Sequence, residues 1–256
     1  MNKKRLFFDI ETSFNITWSW RTGQQFVSAD QIVKERAIIC ICWKWEGDSK
    51  VHYLTWDRNQ SDEKMLRTFV KELNKASEVI AHNGDKFDIK WLRTRCLKHR
   101  IEMFPNYQSL DTLKLVRTSF NLNSNKLNYI AEFLGLEGKM ETGGIDLWKE
   151  IIFNNNQEAL DKMVAYCKKD VQVLENVYNE IKNYGKHKTH LGVQAGGEKY
   201  GCPECGSYNQ HCNKVYSTVA GTPKVHLRCA DCSRSHTVSL KVYRDLEKYK
   251  RKHNIK

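Results

Sequence analysis

Residues 5–11, with the sequence RLFFDIE, decide the fold of this chain. Successive side chains of a β-strand point to opposite faces of a sheet, so this stretch forms two sets. The first set is Leu6, Phe8 and Ile10, and the second is Phe7, Asp9 and Glu11. Apolar residues begin both sets, which is typical of a strand that is covered on both faces. The stretch therefore predicts a central strand that carries two carboxylates on one face.

Further strands and helices follow in the order of a mixed α/β layer fold. The predicted strands after the first are 37–45, 50–56 and 78–81. Three strands in succession, with the turn signal EGDS at 46–49 between the second and the third, favour antiparallel pairing. One predicted helix begins at an N-cap, Ser61, and the others span 87–99, 110–120, 126–134, 145–153 and 157–184. The last of these is the longest, and its apolar residues form a single stripe.

Charge is unevenly distributed along the 256 residues, which carry a net charge of +12. Residues 186–256 contain 14 Lys and Arg against 5 Asp and Glu, whereas the preceding 185 residues contain 28 against 25. A basic region on a nearly neutral body indicates a polyanionic partner, most simply nucleic acid, although a solvated basic surface is the alternative. No run of 18 apolar residues is present, so we expect no membrane association and a cytoplasmic location.

Three acidic patterns are candidates for a metal site, although each alone is common. Asp9 and Glu11 lie close together at the end of an apolar strand, where they repel each other unless a cation joins them. Asp88 lies in the first turn of a predicted helix, where a simple helix-start role is the alternative. Tyr166 and Asp170 are four residues apart and share a helix face, where a half-buried tyrosine beside an exposed carboxylate is the alternative.

Together and in this order, the three patterns resemble the DEDD 3′–5′ exonucleases, a superfamily of proofreading nucleases with four acidic metal ligands. The supporting segments are FDIET at 8–12, AHNG at 81–84, LDTL at 110–113 and KLNYIAEFLGL at 126–136. The resemblance extends over residues 5–184, and Tyr166 before Asp170 matches the DEDDy branch. The whole chain looks like a phage-type member. The resemblance implies a ribonuclease H-like mixed sheet flanked by helices.

The resemblance also implies a two-metal mechanism with Mg²⁺ or Mn²⁺. Asp9 would bridge the two ions, Glu11 and Asp170 would hold the ion that activates water, and Asp88 would support the second ion. Tyr166 would orient the attacking water and assist its deprotonation. These five residues are the predicted catalytic set.

A cysteine module follows the nuclease-like region. Its two Cys-x-x-Cys pairs are separated by 23 residues, and they are Cys202/Cys205 and Cys229/Cys232. Four thiolates in such pairs predict a structural zinc ion in a zinc ribbon, with two disulfides as the alternative. Possible competing ligands are His211, Cys212, His226 and His236. Of the five cysteines outside the pairs, four lie in apolar or helical contexts and are expected in the core.

The predicted division is a nuclease domain at 1–185, a linker at 186–200, a zinc ribbon at 201–240 and a basic C-terminal helix or tail at 241–256. Nucleic-acid contacts are predicted at Thr12, Trp20, Asn83, Phe87, Arg228 and Arg234. Trp18 and Trp20 either stack on terminal bases or pack under a loop. Further basic residues of the ribbon and tail, such as Lys214, Lys224 and Lys241, extend the predicted surface.

We therefore expect a 3′–5′ exonuclease that acts on single-stranded or 3′-ended DNA. An exoribonuclease is the alternative enzyme, since no residue visibly senses a 2′-hydroxyl. A protein that only binds nucleic acid through its ribbon and basic tail is the alternative of a different class. A replication or recombination protein is an expected partner, and a bacterial or phage-infected cell is the expected setting.

Overall fold

The computed structural model describes residues 5–103, 107–138, 144–186 and 189–255. The strands in these ranges are β1 Arg5–Thr12, β2 Ile16–Thr17, β3 Ile32–Lys34, β4 Ile38–Trp45, β5 His52–Thr55, β6 Glu78–Ala81, β7 Gln108–Asp111, β8 Gln210–Ser217, β9 Pro223–Cys229 and β10 Ser235–Ser239. The α-helices are α1 Glu63–Leu73, α2 Asp88–Lys98, α3 Thr112–Ser119, α4 Leu127–Phe133, α5 Ile145–Asn154, α6 Gln157–Ile181, α7 Leu191–Gln194 and α8 Leu240–His253. Among these described helices, none combines the length and the apolar character needed to cross a membrane.

Strand β1 is the middle strand of a five-stranded sheet with the order β5-β4-β1-β6-β7. It pairs antiparallel with β4 and parallel with β6. On the β4 side of the sheet the next pair, β4 and β5, is also antiparallel, and on the β6 side the next pair, β6 and β7, is also parallel. This mixed sheet with helices packed against it confirms the predicted α/β fold class.

Two hydrophobic cores cover the two faces of β1. The β1 side chains that pack with α1 and α2 are Leu6, Phe8 and Ile10. Phe7 packs in the other core, where its ring centroid lies 5.5 Å from that of Tyr178 on α6. Burial of each such side chain stabilises the fold by about 1.5–3 kcal/mol. The alternation expected for residues 5–11 is present, and it places Asp9 and Glu11 on the α6 side of the sheet.

The predicted helix at 110–120 is wrong at its start, because Leu110 and Asp111 end strand β7. Helix α3 begins at Thr112, and the Asp111 carboxylate caps it by accepting the backbone N–H of Leu113 at 2.9 Å. A strand of four residues is too short to show a clear period-two pattern, so the sequence did not separate it from the helix that follows.

Helix α1 begins at Glu63, two residues after the predicted N-cap Ser61. Asp62 is fully buried there and accepts two hydrogen bonds from Arg95, at 2.6 and 2.9 Å, and one from the Ile38 backbone at 3.0 Å. Burial by itself raises the pKa of Asp62, but the bonds from Arg95 and Ile38 outweigh it and lower the pKa below its usual value. The resulting stabilisation is complete at neutral pH and is lost as the pH falls through the lowered pKa.

The ribbon at the C-terminal end is a three-stranded antiparallel sheet with the order β10-β9-β8. Helix α8 packs on one face of this sheet through a small core of Val225, Leu227 and Leu246, all fully buried. Three residues are a small core, so the ribbon depends on further constraints, such as a bound metal, for its stability.

The segment predicted as a linker packs against the first cysteine pair, although its residues 187 and 188 lie outside the described ranges. Leu191 is buried, and its backbone N–H donates to the carbonyl of Pro203 at 2.8 Å. A Cβ at Gly192 would lie only 2.8 Å from the carbonyl oxygen of Cys202, so the close approach requires glycine. The described part of this segment is therefore ordered by contacts, while the division into domains stays a prediction.

Arg5, at the start of β1, joins the large sheet to the ribbon through a buried ion cluster. It is 2% exposed, and its guanidinium binds both carboxylate oxygens of Glu204, at 2.7 and 2.9 Å. It also donates to Glu78 of β6 at 2.6 Å and to Glu46 at 3.1 Å. Glu204 lies between the cysteines of the first Cys-x-x-Cys pair, so one side chain connects the sheet to that pair.

Replacing Arg5 with methionine should lower the free energy of unfolding by about 3–5 kcal/mol, because it leaves buried carboxylates without their counter-charge. Urea unfolding measures this change. Arg67→Met is the matched control, since Arg67 pairs with Glu63 in an exposed i, i+4 bridge and should contribute less than about 0.5 kcal/mol. Equal losses in the two variants would contradict a structural role for the Arg5 cluster.

Candidate active site

Three carboxylates meet on the α6 side of the large sheet. One oxygen each from Asp9, Glu11 and Asp170 lies within 4.8 Å of the other two. Alternation along β1 supplies the first two, and α6, which packs across β1 and β4, supplies the third. Asp170 is 3% exposed, whereas Asp9 and Glu11 are partly exposed. Distant parts of the chain thus place three negative charges in one small volume.

Asp88 lies beside this group, in the first turn of α2, and is 2% exposed. Its Oδ1 accepts the backbone N–H of Ile10, the residue between Asp9 and Glu11, at 3.2 Å. This bond fixes Asp88 against β1, but Asp88 does not belong to the group of oxygens that meet within 4.8 Å. The arrangement is therefore three close carboxylates with a fourth held at their edge.

Tyr166 lies one helical turn before Asp170 and lines an open cleft of about 700 Å³. The cleft wall is rich in amides and contains two cationic side chains: Asn83, Asn123, Asn125, Asn128, Arg117 and Lys126. Such groups donate hydrogen bonds to phosphate and sugar oxygens. Tyr166 thus lines a surface suited to a polyanion and lies one helical turn from Asp170 of the carboxylate cluster.

A comparison with protein families identifies the superfamily of this chain. The model described as the RNase H superfamily (RNase_H_2) matches residues 30–182. The chain belongs to the RNase H superfamily. The matched range contains Asp88, Tyr166 and Asp170, whereas Asp9 and Glu11 precede it. A comparison with curated proteins gives no match.

Solved structures share the fold of this RNase H superfamily chain. One is the family B DNA polymerase from the hyperthermophilic archaeon Pyrobaculum calidifontis, with a TM-score of 0.53 and 14% sequence identity. The similarity covers 70% of this chain and 24% of the polymerase chain, so the protein spans about a quarter of the polymerase's length. At this identity the likeness shows the fold alone.

RNase H-like nucleases use divalent metal ions, and the carboxylates of this chain fit such ions. Two negative charges at 4.8 Å, the upper limit of these separations, repel each other by roughly 3 kcal/mol at an effective dielectric constant of about 20, and closer charges repel more. A divalent cation removes this repulsion, and Mg²⁺ and Mn²⁺ prefer the carboxylate oxygens found here. Asp9, Glu11 and Asp170 are the residues placed to hold it, with Asp88 beside them.

Three cysteines lie next to the β1 carboxylates, and the sequence did not predict this. On β4, Cys42 lies opposite Asp9 and Cys40 lies opposite Glu11. The Cys167 thiol on α6 contacts the Asp9 carbonyl at 3.5 Å and its Oδ2 at 3.6 Å. Burial raises the pKa of Cys167, so this thiol stays neutral and adds no negative charge beside Asp9. The two-residue spacing of Cys40 and Cys42 indicated that both lie on one face of a strand. That they lie opposite Asp9 and Glu11 depends on the strand register, which the sequence does not show.

Hydrogen bonds fix the loop between β6 and α2. The Asp111 carboxylate accepts the backbone N–H of Asn83 at 3.0 Å, and Asn83 has a left-handed backbone with φ of 66°. His82 contacts the Thr112 hydroxyl and the Asn125 carbonyl, each at 2.9 Å. Through these bonds, Asp111 and His82 position the loop that leads to Asp88.

The predicted nucleic-acid contacts lie in different environments. Trp20 is 89% exposed in the segment between β2 and β3, its ring centroid 5.7 Å from that of Trp18, so it does not pack under a loop. Asn83 and Phe87 are partly exposed. Thr12 is 9% exposed and its carbonyl accepts the Trp148 indole N–H at 2.9 Å. The side chains of Trp20, Asn83 and Phe87 are therefore accessible to a ligand.

The predicted contact at Arg234 is wrong, whereas Arg228 is exposed as a contact requires. Arg234 is 2% exposed, and its guanidinium donates to the carbonyl of Gly185 at 3.4 Å. It lies where the ribbon meets the end of the nuclease region, so it is shielded from solvent. Its charge was visible in the sequence, but its burial depends on this long-range contact.

The four paired cysteines form a second candidate metal site. One sulfur from each of Cys202, Cys205, Cys229 and Cys232 lies within 4.8 Å of the others. The Cys202–Cys232 and Cys205–Cys229 sulfur pairs are 3.6 and 3.5 Å apart, much longer than a disulfide of about 2.05 Å. A tetrahedral site with Zn–S bonds of about 2.3 Å requires sulfurs about 3.8 Å apart. The thiols therefore fit one zinc ion and argue against the disulfide alternative.

The purified protein should contain about one zinc ion per chain, and Cys229→Ser should lose it. Elemental analysis measures the zinc content, and Cys212→Ser is the matched control because Cys212 is exposed and outside the four-sulfur group. Loss of zinc should also lower the melting temperature of the whole protein, since Glu204 connects the site to Arg5. Full zinc content in Cys229→Ser would contradict the assignment.

Proposed function

We propose that this protein is a metal-dependent 3′–5′ exonuclease of the DEDDy type that acts on DNA. The observation that carries the proposal is the meeting of Asp9, Glu11 and Asp170, with Tyr166 one turn before Asp170. The RNase H superfamily fold and the likeness to part of a DNA polymerase support nucleic-acid hydrolysis. The DEDDy assignment rests on Tyr166, and the phage-type assignment stays a prediction.

Each residue of the cluster has a separate task in this proposal. Asp9, Glu11 and Asp170 would hold Mg²⁺ or Mn²⁺, and Asp88 would complete the set from its place against Ile10. Two such ions, when bound, stabilise the negative charge on the attacking and leaving oxygens of a phosphodiester. Tyr166 would orient the attacking water from the side of the cleft, with the amide-rich wall binding the phosphate and sugar.

The direct test uses strands labelled at the 5′ end, as single-stranded DNA and as RNA, with Mn²⁺ and with or without a chelator. A ladder that shortens from the 3′ end, and only with metal, supports the proposal. Release of labelled mononucleotide at the first time point would instead mean 5′–3′ polarity. A shifted but intact strand would mean binding without hydrolysis, and a ladder on RNA alone would mean an exoribonuclease.

Asp9→Asn should reduce hydrolysis by roughly a thousandfold or more, because the loss of a shared ligand removes several kcal/mol of charge stabilisation. In chelator, the same variant should melt higher than the unmodified protein, by about 2–4 °C for each kcal/mol of repulsion removed. Metal-dependent activity and differential scanning fluorimetry measure the two effects.

The matched control for this variant is Asp161→Asn, on the exposed face of α6, which should change neither activity nor the melting temperature in chelator. Added Mg²⁺ should stabilise the unmodified protein more than Asp9→Asn, since only the former retains the full ligand set. Undiminished turnover by Asp9→Asn would reject the assignment.

Tyr166→Phe should lower kcat by up to about a hundredfold, less than Asp170→Asn, because the phenol assists a water that the carboxylates still position. The variant should retain its metal-dependent increase in melting temperature, which Asp170→Asn should not. A pH–rate profile of each variant and a magnesium titration followed by melting measure these differences. Equal losses of kcat would argue against an auxiliary role for Tyr166.

A further inference from the structure

The ribbon sheet has one face covered by α8 and a second face that α8 does not cover. On β9, Val225 and Leu227 point to α8, so the alternating residues Lys224, His226 and Arg228 point away from it. Residues directly opposite one another on neighbouring antiparallel strands share a face. The strand register therefore defines the second face, which we call the outer face of the ribbon.

Three cross-strand rows make up the outer face. They are His211–Arg228–Ser235, Lys214–His226–Thr237 and Tyr216–Lys224–Ser239. Each row combines at least one basic or imidazole side chain with a hydroxyl group. The Lys214 ammonium also lies 6.0 Å from the centroid of the Tyr216 ring. Cations, hydroxyls and an aromatic ring on one face of a sheet are groups that bind a nucleic-acid strand.

Negative charge is absent from this sheet. Strands β8, β9 and β10 contain no Asp or Glu. Within the described part of the chain, Lys214 and Arg228 form no ion pair with an acidic side chain, and both are exposed. Their charges are consequently available to a ligand, which must be anionic to match this face.

The ribbon contacts the large sheet at the end of β1 that is distant from the carboxylate cluster. Glu204, in the first cysteine pair, contacts Arg5, which is four residues and about 13 Å along β1 from Asp9. The outer face also forms one wall of a cleft of about 630 Å³, through Tyr216, His226 and Thr237. The same cleft is lined by Gly185, the last residue of the predicted nuclease domain, and by His190 of the segment that follows it. A strand on this face would therefore lie at a distance from the bond that is cut.

We propose that the outer face of the ribbon binds the phosphate backbone of a single-stranded nucleic acid, away from the end that is hydrolysed. This inference rests on the proposed function only in taking the substrate strand as the ligand. In this proposal the outer face contributes affinity for the nucleic-acid strand, and the carboxylates contribute the chemistry of hydrolysis. Neutralising the face therefore raises KM for long strands and leaves kcat unchanged.

The test is a fluorescence anisotropy titration of a 30-nucleotide thymidine strand in chelator, so that binding is measured without hydrolysis. The double variant Lys214→Gln/Arg228→Gln lowers the slope of log affinity against log salt by roughly 1.4, about 0.7 for each lost phosphate contact. The control Lys64→Gln/Lys71→Gln removes the same charge from exposed positions on α1 and keeps the unmodified slope. Zinc content verifies that the ribbon remains folded.

A second measurement compares hydrolysis of strands of 4 and 30 nucleotides. The outer-face variant loses kcat/KM on the long strand by about tenfold, through KM, and retains the full rate on the short one. An unchanged salt slope, or equal losses on both lengths, overturns the inference even if hydrolysis is confirmed. Face-dependent binding without any hydrolysis would instead overturn the proposed function and leave this inference standing.

Discussion

Burial on both faces constrains strand β1, and the rest of the structure depends on this constraint. A strand covered by two cores must present apolar side chains in both directions, as Leu6 and Phe7 do. Charged groups are then tolerated only where something compensates them. Arg5 is compensated by three carboxylates at one end of the strand, and the carboxylates of Asp9 and Glu11 need cations at the other. One strand thus connects the ribbon at its beginning to the candidate active site at its end.

Local periodicity explains what could be predicted from the sequence. The two faces of β1 and the buried stripe of α6 follow from alternation and helical spacing, which need no knowledge of distant residues. The four-sulfur group follows from the spacing of its cysteines. The proximity of Asp170 to Asp9 differs from these features, because no local sequence pattern predicts it. It was expected only because the order of the motifs resembled a family.

Long-range partners explain what could not be predicted. Arg5 was an ordinary basic residue in the sequence, and its role appears only through Glu204, 199 residues away. Arg234 was counted as a surface charge, yet it is buried against Gly185. Asp62 follows the predicted N-cap Ser61, and its burial depends on Arg95 and Ile38, which hold it inside the protein. In each case a charge was visible, and its environment depended on an element far away in the chain.

The separation of charge between the two parts of the chain suits a nuclease. A cluster of carboxylates repels a polyanion until cations occupy it, so the site itself contributes little attraction at long range. Residues 186–256 carry a net charge of +9 and the preceding residues only +3, which places the attraction mainly outside the nuclease region. Because Arg5 fixes the first cysteine pair against the beginning of β1, a nucleic acid bound to the ribbon, as proposed, would be held on the same body as the carboxylates at the end of β1. In the proposed exonuclease, capture of the substrate and cleavage of its end could therefore be altered independently.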